Sequence, residues 1–127
     1  MLTRVSSLGA LAALLLLTLL CTLLAACGGS DEIGNTVYVS GVSQNLRVSK
    51  SGPFNLDVAG HGHDVHVESG SRIRKLLVAG SNHNIHVPSG VSIDEIELDG
   101  VRNRVYVPRG FQTKLRKFGS QNELIER

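Results

Sequence analysis

"VAGHGHDVHVESG", Val58 to Gly70, and "VAGSNHNIHVPSG", Val78 to Gly90, are near copies set 20 residues apart. The likeness extends beyond this pair. Leading glycines fall at Gly41, Gly60, Gly80, Gly100 and Gly119, and a second series, Gly70, Gly90 and Gly110, follows three of them by 10 residues. Apolar residues keep fixed offsets from the leading glycine. Val37 and Val39, Leu56 and Val58, Leu76 and Val78, and Ile96 and Leu98 stand four and two places before it. Leu46 and Val48, Val65 and Val67, Ile85 and Val87, and Val105 and Val107 stand five and seven places after it. Phe54, Ile73 and Ile93 come thirteen after.

Each pair skips one residue, the period of a strand. The Gly, Asn, Asp and Ser between pairs are turn formers, and no stretch beyond Cys27 carries a helical period. A hairpin needs only local self-similarity. Three apolar points recurring once per repeat instead point to one coil per repeat, with like positions stacked on like. The pattern predicts an all-β chain: a short right-handed parallel β-solenoid of four to five coils of about 20 residues, rising ~4.8 Å per coil. An antiparallel β-sandwich is the competing arrangement. "KLRKFGSQNELIER" (114–127) puts Lys117 where a core residue is due and ends in charges. The last repeat thus decays into a polar terminal unit, which reads as a cap that closes the core and blocks strand addition.

Four segments, "VYVSGVSQNLRV", "LDVAGHGHDVHV", "LLVAGSNHNIHV" and "IELDGVRNRVYV", resemble the short Val, Gly, Asn, Val repeat of an uncharacterised bacterial family, domain of unknown function thirty-sixty. The resemblance covers about residues 36–124 and departs at Asp64 and Arg104, where that pattern favours Asn. It implies the solenoid and an exported or lipidated protein. It supplies no catalytic residues.

The start of the chain has a different character. Arg4 is the only charge before Cys27, and residues 8–24 are almost entirely Leu, Ala and Thr, the form of an export signal. "LLAAC" (23–27) resembles the bacterial lipobox, with Leu24, Ala25, Ala26 and Cys27 in its four places. That resemblance implies cleavage before Cys27 and acylation of its sulfur, and two or more acyl chains hold a protein stably in a bilayer. The expected organisation is a signal helix and peptide over 1–26, a lipidated Cys27 with a flexible tether over 27–35, and a repeat domain over 36–127. Gly28, rather than Asp, after the cysteine resembles sorting to the outer membrane of a host with two membranes. With one membrane, the protein would sit on its outer face.

Composition narrows the function classes. Cys21 leaves with the signal, so Cys27 is the one mature cysteine and no disulfide framework exists. Setting Arg4 aside leaves 12 of the 13 Lys and Arg, which nearly balance the 11 Asp and Glu, and no Trp is present. Nucleic acid is therefore not an expected partner. The chain holds no nucleophile elbow and no complete glycine-rich phosphate loop, and no enzyme activity is expected.

The histidines carry the remaining chemistry. Stacked in register, His63 meets His83 and His66 meets His86. His66 and His86 lie between inward valines and isoleucines and so face outward, in a ladder running Arg47, His66, His86, Tyr106 with Asp64 and Glu68 alongside. Imidazoles about 5 Å apart with a carboxylate suit Zn²⁺ or Cu²⁺, with His66, His86, His63, His83 and Glu68 as candidate ligands. Drawing in His63 and His83 requires the turn after each leading glycine to fold back, since three strand residues span roughly 10 Å. Duplication of a coil accounts for the same pairs with no ligand at all. Two roles follow: a cell-envelope lipoprotein that binds an envelope polymer or protein, or stacks on copies of itself through its coil ends, and a metal- or proton-responsive binding protein.

Overall fold

The structure, a computed structural model, describes residues 29–127. The signal, the lipobox and Cys27 lie outside the described residues. All regular structure within them is strand: β1 (Gly29–Ile33), β2 (Thr36–Ser40), β3 (Asn45–Val48), β4 (Pro53–Val58), β5 (Asp64–Val67), β6 (Arg72–Val78), β7 (Asn84–His86), β8 (Ser92–Leu98), β9 (Arg104–Val107), β10 (Lys114–Lys117) and β11 (Glu123–Glu126).

From β2 onward successive strands alternate between two sheets. One runs β1-β2-β4-β6-β8-β10 and the other β11-β9-β7-β5-β3. Every pairing from β2 onward is parallel, each strand bonding to the one two places on in the chain. The chain therefore winds, as its period requires, through about five turns of a β-solenoid. A sandwich of antiparallel hairpins is excluded by those ladders.

The apolar offsets become columns. Val37, Leu56, Leu76 and Ile96 stack on one wall, Val65, Ile85 and Val105 on the other, and Phe54, Ile73 and Ile93 form a third column nearer the start of β4, β6 and β8; all are at most 3% exposed. Coils of 19 and 20 residues share this core through a bulge. Phe54 pairs with Ile73, but Leu56 pairs with Leu76, so the added residue of the longer coil is absorbed within β6. The leading glycines mark a corner where the backbone of one coil rests on the next. At Gly80, φ is +93° and a side-chain carbon would collide with the Gly60 carbonyl oxygen. Only glycine fits there.

The N-terminal end departs from the sequence reading. Residues 27–35, expected to be a flexible tether, contain β1, which pairs antiparallel with β2 from Gly29↔Ser40 to Ile33↔Thr36. Gly34 and Asn35 make the reversal, with φ of +60° at Gly34, and β1 satisfies the backbone edge that the first coil would otherwise leave open. At the other end the polar C-terminal segment is the fifth coil, with Lys117 in register with Leu98 and Glu126 with Val107. Charges at inward positions are tolerated there because no described residue stacks above them: β10 is exposed along its whole length.

Candidate functional site

Histidines 63 and 83 do not join the outward pair. Both are 0% exposed, and the turn after each leading glycine carries them into the interior, where their rings stack 4.9 Å apart and 5° from parallel. Their nitrogens are fully employed. Nε2 of His63 donates to the Ala59 carbonyl and Nε2 of His83 to that of Ala79, each at 2.8 Å. Nδ1 of His63 accepts the Gln44 N–H, and Nδ1 of His83 accepts the His63 N–H, each at 3.1 Å. One coil on, the Asn103 side chain does the same work, accepting from the His83 N–H at 3.2 Å and donating to the Asp99 carbonyl at 3.1 Å. Asn122 repeats it, accepting from the Asn103 N–H at 3.0 Å and donating to the Phe118 carbonyl at 2.7 Å. The two imidazoles thus act as long amides in a buried ladder. Burial holds the pKa of His83 below the ordinary histidine value, offset in part by its bond to Ala79.

The amide that the coil uses stands three places after the leading glycine, at 103 and 122, and not at 64 or 104. A sequence signal for it existed: Gln44, His63, His83, Asn103 and Asn122 share that offset, so the two adjacent histidines stand between amides in one column.

His66 and His86 behave differently. Val65 and Ile85 point inward at 0% exposure, and alternation turns the next residue of each strand outward. The ladder Arg47↔His66↔His86↔Tyr106 is present in register across four coils. The rings of His66 and His86 stack at 4.4 Å with planes 10° apart, Tyr106 stacks on His86 at 5.1 Å, and the Arg127 guanidinium lies 3.8 Å over the Tyr106 ring. Planar groups follow one another along the column axis, with a guanidinium in register at one end and a second on the Tyr106 face at the other.

Asp64 shares the outward parity of His66, two residues back. Its Oδ1 accepts from Nε2 of His86 at 2.7 Å and lies 3.7 Å from Nε2 of His66. Asp64, His66 and His86 bring three ligand atoms within 4.8 Å of one another, each residue half-buried. The carboxylate in this cluster is Asp64, not Glu68. Glu68 is exposed and lines the same groove, which holds about 700 Å³ and also takes in Ser69, Pro88, Ser89 and Pro108 from the turns after β5, β7 and β9.

Parity and period located His66, His86 and Tyr106. Arg127 left no such trace, because it lies past the last strand and comes to Tyr106 through its own side chain. Searches of family models, of curated proteins and of solved structures return no match to this chain.

Proposed function

We propose that this chain is an exported, membrane-anchored binding protein, held through an acylated Cys27, whose ligand is an acidic polymer of the cell envelope lying along the groove of the β3-β5-β7-β9-β11 sheet. The observation that carries the reading is a strip of stacked rings with a guanidinium at each end. On the opposite sheet Lys75 Nζ lies 2.7 Å from Glu97 and Arg116 Nε 3.5 Å from Glu95, while Arg72, Arg74, Lys114 and Lys117 have no ion-pair partner among the described residues, so it is the rings between the cations that set the groove apart. In the groove, Arg47 and Arg127 have no ion-pair partner among the described residues. They stand at opposite ends of a flat aromatic strip. Guanidinium forks suit carboxylates, and the planar rings between them offer a dry surface to an extended chain. The lipobox resemblance of residues 24–27 supports the envelope setting.

The full chain, recovered from bacterial membranes in detergent, tests both halves. Its mass should be that of residues 27–127 with acyl chains attached; the mass of the uncleaved chain contradicts the anchor. On immobilised polygalacturonate with chelator present, the protein should be retained at low salt. Arg47→Gln/Arg127→Gln should bind roughly tenfold more weakly, the sum of two partly exposed ion pairs. Equal retention of both proteins contradicts the groove as the binding surface.

A further inference from the structure

We infer that Asp64, His66 and His86 form a binding site for one divalent transition-metal ion, Zn²⁺ or Cu²⁺. The inference uses the same groove as the reading above but does not depend on its polymeric ligand.

Three observations converge on it. First, the donor set is two imidazoles and a carboxylate, the combination that Zn²⁺ and Cu²⁺ take from proteins. Second, the donors already face one another. Both Nε2 atoms turn toward a single Asp64 oxygen, at 2.7 Å and 3.7 Å. Third, the positions that carry them are rigid. β5 and β7 pair through Asp64↔Asn84, Val65↔Ile85 and His66↔His86, and the inward side chains of both strands are buried in the core. Elements held this way keep a site preorganised.

The register also makes the site singular within its column. The positions in line with Asp64 are Asn45, Asn84, Arg104 and Glu123, and those in line with the two histidines are Arg47, Tyr106 and Ile125, so the one other carboxylate, Glu123, has no histidine beside it. Only the second and third coils combine a carboxylate with two imidazoles. Duplication of a coil explains why a histidine recurs at 86. It does not explain why Asp64, which has Asn84 as its copy, bonds to the histidine of the next coil.

Loading the site requires two adjustments. The proton now shared between Asp64 and His86 gives way to the ion, and the rings open from their stack. Tetrahedral ligands with bonds of about 2.0–2.1 Å lie roughly 3.3 Å apart, so the Asp64–His86 pair at 2.7 Å must open and the Asp64–His66 pair at 3.7 Å must close. Side-chain rotation in His66 and His86 supplies this, since their side chains are 40% and 28% exposed. The protein then gives three ligands, and the remaining position opens on the groove, where solvent or a carboxylate of a bound ligand completes the shell.

Isothermal titration of the full chain in detergent, stripped with chelator and titrated with Zn²⁺ alone, tests the site. The expected result is one ion per chain at micromolar affinity or tighter, weakening as pH falls because protons compete for the imidazoles. His66→Ala/His86→Ala should abolish binding, and Asp64→Asn should weaken it about tenfold or more. His63→Asn/His83→Asn should bind as the parent does, because those rings are interior and their nitrogens are occupied. Circular dichroism confirms that each variant retains its strands. An absence of heat at micromolar Zn²⁺, or undiminished binding in His66→Ala/His86→Ala and Asp64→Asn, overturns the site. Polymer retention is measured in chelator and this titration without polymer, so either result stands or falls alone.

Discussion

His83 is an imidazole doing the work of an amide. Its Nδ1 accepts the buried His63 N–H and its Nε2–H reaches the Ala79 carbonyl, as Asn103 does one coil later. Protonation would turn the accepting nitrogen into a donor facing a donor. Because burial lowers the folded-state pKa of His83, the unfolded chain takes up a proton there at a pH where the folded chain does not. The stability this contributes is complete above the ordinary histidine value of 6.5 and is lost as pH falls through it toward the lowered value. His83→Asn should therefore keep the ladder and flatten the dependence of stability on pH below 6.5. His83→Ala leaves the His63 N–H buried without an acceptor and should cost about 1–3 kcal/mol at neutral pH. Urea unfolding at several pH values reads both. An unchanged pH slope in His83→Asn would contradict the amide-like role.

At the scale of the element, a coil is two short strands and the corners between them, and the corners decide which residues are free to vary. Gly80 and Gly110 both have positive φ, at +93° and +76°. A side-chain carbon at Gly80 meets the backbone of the coil below, whereas one at Gly110 meets nothing within 4 Å. Gly110→Ala should cost about 1–2 kcal/mol, the strain of a left-handed conformation alone. Gly80→Ala adds a backbone collision and should cost clearly more, with the midpoint of urea unfolding falling further. Equal losses would contradict coil-on-coil contact at that corner. This is also where sequence legibility was greatest. Strand parity, the columns of apolar residues and the glycine period were all readable, because stacking forces each coil to repeat its neighbour. The ends were less legible, since end coils have one neighbour and the repeat no longer constrains them. β1 carries no member of the apolar columns, and its pairing with β2 follows from an open edge. The inward path of His63 and His83 escaped strand parity because they sit in the corner, where alternation does not apply.

Across the whole molecule, the two sheets share one core but present different outward faces. On the β2-β4-β6-β8-β10 face Lys75 and Arg116 pair with Glu97 and Glu95. The β3-β5-β7-β9-β11 face carries the stacked rings, Arg47, Arg127 and the Asp64 cluster. The sequence period alone placed His66 beside His86, and parity put both outward. The choice of Asp64 over Glu68 was not legible, because both have the same parity and only the side-chain direction separates them. That cluster joins the winding of the chain to its proposed chemistry, since its two imidazoles come from adjacent coils and meet only if the coils stack in register. Electron paramagnetic resonance of the full chain with one equivalent of Cu²⁺ tests the claim by counting the nitrogens on the ion. The account predicts splitting from two imidazole nitrogens, reduced to one in His86→Ala and unaltered in His83→Asn. A spectrum with a single nitrogen, or one that His86→Ala leaves unchanged, would contradict it.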